Sequence, residues 1–151
     1  MISAVNHLWL MQVIFGAIAI LGFSIRSNIK GSILIFTSLG GALCWGLYLM
    51  FLAGTSSLLL SVFLSAAVVC IYGELMARAY KVPVSVFVIC GIIPLVPGSG
   101  LYYTMIAYIE GNIVDAMTKM GQTLMIAGTI SVAIAVVSSL ANIFKTMLRR
   151  F

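Results

Sequence analysis

Two windows of this chain, Gly31 through Ala53 and Gly121 through Phe144, contain no charged residue. Each is long enough to cross a hydrocarbon core of about 30 Å as a helix, which takes about 20 residues. In lipid the backbone must satisfy its own N–H and C=O groups, so continuous apolar runs of this length are restricted to helices. The rest of the 151 residues conforms: 63% are hydrophobic, 7% are charged, and the mean hydropathy is +1.23. An all-α integral membrane protein is expected, with residues 1–151 forming one transmembrane domain.

Eight Lys and Arg against three acids give a formal charge of +5. A nucleic-acid-binding face is not implied, because the basic residues sit in short clusters between or after apolar runs, as the positive-inside rule requires of a multi-pass protein. The expected spans are 7–25, 32–53, 58–77, 82–109 and 121–144, with a short amphipathic helix at 113–120 carrying Asp115 and Lys119 at i,i+4 spacing. If the fourth span crosses once, Arg26, Lys30, Arg78, Lys81, Lys145, Arg149 and Arg150 share one side, seven of the eight basic residues. The amino terminus is then outside and the carboxyl terminus cytoplasmic. A re-entrant hairpin turning at Pro97-Gly98 would instead leave Lys145, Arg149 and Arg150 outside. The amino terminus lacks the basic run of a signal peptide, so the first span is expected to be retained.

The fourth span is interrupted by Pro94-Leu95-Val96-Pro97-Gly98-Ser99-Gly100. Neither proline has an N–H for the preceding turn and each ring clashes with it, at about 3 kcal/mol apiece in a helix interior. As one unbroken helix the span would measure about 40 Å, whereas two half-helices put the break near the bilayer midplane. Discontinuous helices of this kind form binding sites in membrane transporters. Ser99 is the expected N-cap of the second half, whose free amides and positive dipole end suit a carboxylate or small anion. The stub before the break offers carbonyls near Cys90 and Ile93 for an ammonium group, so a zwitterionic or anionic solute fits. The bland alternative is a kink in which Ser99 caps its own helix. Tyr102 is either a hydroxyl donor to solute or an interfacial aromatic, and Tyr103 more readily the latter.

Other polar residues carry less. Glu74, four residues before Arg78, reads either as a local ion pair or as a proton-carrying carboxylate. Glu110 and His7 read as boundary residues. Cys44, Cys70 and Cys90 lie within apolar runs without a CxxC pattern, so no metal site and no cofactor is expected. One histidine and no nucleophile paired with a base argue against an enzyme. Thr123, Ala127, Ser131, Ala135 and Ser139 recur every fourth residue, a stripe that admits another helix closely, and Ser61, Ser65, Gly73 and Ala77 make a weaker one.

The run Ile93-Pro94-Leu95-Val96-Pro97-Gly98, followed by Tyr102 and Met105, resembles the signature of the threonine/serine exporter family, in particular its smaller carboxyl-terminal module. The resemblance implies proton-driven export of threonine and serine across the bacterial cytoplasmic (inner) membrane, together with a larger membrane subunit bearing a hydrophilic amino-terminal region. Pro94, Pro97, Gly98 and Tyr102 match the motif; Ser99 and Gly100 complete the candidate substrate-binding set, and Glu74 is the candidate for proton coupling in this chain. Small dicarboxylates are an alternative substrate class. A non-transporting membrane scaffold, docked through the small-residue stripe, is the alternative of a different kind.

Overall fold

The computed structural model describes residues 2–148. Arg149, Arg150 and Phe151, and the side chains of His7 and Lys145, lie outside the described residues, so their place in the charge pattern rests on sequence. The described residues form six α-helices: α1 (Ile2–Arg26), α2 (Ser32–Thr55), α3 (Leu58–Tyr80), α4 (Val84–Ile92), α5 (Gly98–Ile109) and α6 (Ile113–Leu148). There is no strand among the described residues. Four helices are long and apolar enough to span a membrane, five spans in all if α4 and α5 count as one broken crossing.

Short polar links end the helices by left-handed caps. Ser56 (φ 53°) bonds its N–H to Leu52 O, and Lys81 (φ 53°) does the same to Ala77 O, which also accepts from Val82 N at 3.1 Å. Apolar burial alone does not set these boundaries: α3 runs three residues past the expected limit at 77, where Arg78 reaches back to Glu74 at 3.5 Å.

The first half of the broken segment is the centre of the bundle. α4 packs on α2 and α3 and touches α1. Its close approach depends on Gly91: a Cβ there would lie 2.6 Å from Val69 Cγ1, with the backbone of Gly40 on α2 only 3.9 Å away. Val88, Ile92 and Leu95 thereby join Cys44, Val62, Ala66, Val69 and Cys70 in one buried cluster, which α6 completes with Ile130, Ala133 and Val137. Polar groups inside are paired; Ser24 and Thr37 share a buried hydroxyl bond of 3.0 Å between α1 and α2, and Tyr72 donates to Phe36 O at 2.9 Å.

Two expectations are corrected. The amphipathic segment at 113–120 is not a separate helix, because α6 runs unbroken through Gly121 for 36 residues. One glycine costs about 1 kcal/mol in a helix interior and does not stop it. A 3,4-spaced inner face continues across the expected joint, with Ala116, Thr123, Ile130, Ala133 and Val137 buried and Lys119 and Ile126 half-buried, while Ile113, Met117 and Met120 face outward. The two small-residue stripes also divide differently from their prominence. Ser61, Ser65, Gly73 and Ala77 on α3 are buried within this chain, whereas of the α6 stripe only Thr123 is buried and Ala127, Ser131, Ala135 and Ser139 are exposed.

Candidate functional site

Where α4 ends, Ile93–Leu95 tightens into a 3-10 turn, and Val96 (ψ 125°) is extended, as a residue before proline prefers. Pro97 at φ −78°, ψ 59° is the centre of an inverse γ-turn, closed by Gly98 N donating to Val96 O at 2.7 Å. The axes on either side of the break differ by 48°. A bend of that size keeps both halves advancing in one general direction; a hairpin needs a near reversal.

This turn chemistry changes which backbone groups are open. Ile93 O accepts from Val96 N at 3.1 Å, which uses one of its two lone pairs. The helix begins at Gly98 with Pro97 as its N-cap and no side-chain capping bond, so Ser99 is not the cap but stands one residue inside. Gly98 N is used by the γ-turn and Leu101 N bonds Pro97 O at 3.3 Å. No backbone bond in the turn engages the amides of Ser99 and Gly100. They are the first-turn donors that carry the positive end of α5.

Both residues line a cavity of about 350 Å³ formed around the break. Pro94 through Pro97 make one wall. Trp45 and Tyr48 of α2 and Leu58 and Val62 of α3 make a second, and α6 supplies Lys119, Gln122, Thr123 and Ile126. Beside the break, α5 leans on α6 so closely that a Cβ on Gly100 would overlap Thr123 Oγ1. Thr123 instead donates to Lys119 O at 2.7 Å, and Thr104 to Gly100 O at 2.7 Å, so both hydroxyls are spent within their own helices.

Of the predicted site residues, Pro94, Pro97, Ser99 and Gly100 come together at this cavity; Gly98 and Tyr102 are not part of its lining. Tyr102 faces away and rests edge-on against Tyr103 at 5.4 Å, and it is Tyr103 that faces the cavity. Glu74 is elsewhere. It pairs with Arg78 beside Val137 and Leu140, 12 positions along α3 from Val62, or about 18 Å of helix. Trp45, Tyr48, Lys119, Gln122 and Thr123 are lining residues that motif reading missed. Lys119 had a signal: it is the one basic residue outside the shared cluster of seven.

A helical bundle of four or five candidate spans, with a cavity at a broken helix, is the architecture of a multi-pass membrane protein. The chain belongs to the family described as Threonine/Serine exporter, ThrE, which it matches over residues 12–140. It is thus a membrane exporter of a transporter family and not of an enzyme family. No solved structure matches it.

Proposed function

We propose that the chain is the smaller subunit of a secondary exporter of threonine and serine, working with a larger membrane partner, and that the cavity at the Pro94–Pro97 break is its part of the solute path. The observation that carries this reading is a cavity sized for a small solute at the break, lined by Ser99 and Gly100, whose amides no backbone bond in the turn engages. The amides suit a carboxylate. Ile93 is not part of the cavity lining, so the ammonium end of an amino acid would meet Trp45, Tyr48 and Tyr103, or a group on the partner. The protein sits in the bacterial inner membrane with its amino terminus outside, as the basic clusters favour.

The test is efflux of preloaded threonine from cells that coexpress this chain and a larger family member. Efflux is expected, falling to near background with Pro97→Ala and clearly reduced with Tyr103→Ala, while Tyr102→Ala has the smaller effect. Absence of efflux for threonine and serine would overturn the function. Normal efflux from both Pro97→Ala and Tyr103→Ala would remove the cavity from it.

A further inference from the structure

We infer that Lys119 is the specificity-determining cation of the cavity, holding the carboxylate of the transported solute in exchange for Asp115. This rests on the cavity being the solute path, as proposed above, and adds a residue that neither the Pro/Gly motif nor the family match assigns. Among the described residues, Lys119 is the one charged side chain in the cavity lining. Its neighbours there are neutral: Gln122 one turn further along α6, Thr123, Tyr103 of α5, Ser99 and Gly100.

Two observations put the Lys119 side chain within reach of a solute in the cavity. First, the register is set by Gly100 standing against Thr123, so Lys119 lies one turn, or about 6 Å, from the level of the open amides. A small carboxylate therefore lies within the combined reach of amide donors and a long, flexible ammonium side chain. Second, Lys119 is already held by Asp115 on the preceding turn, with both side chains partly exposed and Asp115 outside the lining. An i,i+4 pair at partial exposure is weak, so an incoming carboxylate can displace it at little cost. Asp115 keeps the charge compensated while the cavity is empty, which matters for a cation in an apolar span.

Only an exchange of ion pairs is involved, with no net proton transfer, and the two partners, Lys119 and Asp115, act oppositely on solute binding. That separates the role from a structural one. If the Lys119–Asp115 pair only stabilises α6, removing either partner harms the protein alike. If Lys119 binds solute, Asp115→Asn frees it and binding tightens, whereas Lys119→Gln loosens it.

The chain contains two tryptophans, and Trp45 lines the cavity, so the full chain carrying Trp9→Phe reports binding through Trp45 emission in lipid nanodiscs. The probes are L-threonine, 3-hydroxybutyrate, which lacks the ammonium, and L-threoninol, which lacks the carboxylate. Saturable shifts are expected with the two carboxylates and not with threoninol. Lys119→Gln should weaken both by about tenfold or more, Lys119→Arg should stay within a few-fold of the parent, and Asp115→Asn should bind more tightly. The inference is overturned if no carboxylate gives a Lys119-dependent shift, if threoninol binds as well as threonine, or if Asp115→Asn and Lys119→Gln weaken binding equally. Efflux with unaltered Lys119→Gln would sink this inference and leave the exporter standing; Lys119-dependent binding without efflux in any assembly would do the reverse.

Discussion

Small side chains at two neighbouring positions do different jobs in the break. Gly98 and Gly100 both follow Pro97, yet a Cβ on Gly98 meets nothing within 4 Å, while one on Gly100 would overlap Thr123 Oγ1. Gly98 is also outside the left-handed region, so alanine fits its backbone. Gly98→Ala is therefore expected to leave thermal stability unchanged or raise it by about 0.4–1 kcal/mol through the unfolded chain. Gly100→Val should cost about 1–3 kcal/mol by forcing α5 from α6, as overpacked seams do. Melting curves of the purified protein in detergent check both, and equal melting temperatures for the two variants would contradict the α5–α6 contact. The two residues look alike in sequence, and only the packing of α5 on α6 separates them. Tyr102 and Tyr103 are a second such pair: adjacent helical positions point about 100° apart, and which one faces the cavity depends on the phase of α5. That phase follows from starting the helix at Gly98 after a γ-turn and not at Ser99 as a cap.

The elements themselves were largely legible. Charge-free windows and basic clusters locate α1, α2 and α3, and two prolines locate the interruption between α4 and α5, because both signals rest on local covalent and solvation physics. The α6 continuity was not, since its inner face is made of small and mixed residues whose 3,4 spacing is no stronger than the outward pattern of Ile113, Met117 and Met120. The same weakness hid which small residues are used. Ala133 is fully buried against the α3 cluster, whereas Ala135, two positions on, is exposed. Ala133→Leu should destabilise the isolated chain by about 1–3 kcal/mol, and Ala135→Leu should change it by less than about 0.5 kcal/mol. Fluorescence-detected size exclusion after a heating series distinguishes them. A comparable loss from Ala135→Leu would mean that the exposed side of α6 is packed by something in the purified sample.

At the scale of the whole molecule, direction through the membrane decides whether the cavity lies on a path from one side to the other. Seven basic residues and a 48° bend favour the proposed topology, in which α4 and α5 make one crossing and the link after α1 and the link after α5 lie on opposite sides. A re-entrant segment would return the α5–α6 link to the side of Arg26 and Lys30. The native cysteines allow a direct measurement, since Cys44, Cys70 and Cys90 are all buried and need not be removed. Ser27 and Glu110 are exposed link positions with ordinary backbone conformations. In right-side-out vesicles a membrane-impermeant maleimide should label Glu110→Cys at once, and Ser27→Cys only after permeabilisation. Labelling of neither before permeabilisation would establish the re-entrant path, and α6 would then run opposite to the proposed direction, with its basic end outside. The proposed single crossing would instead put Lys119 and the open amides of Ser99 and Gly100 on the outer side of the break, where a solute leaving the cell would pass them last.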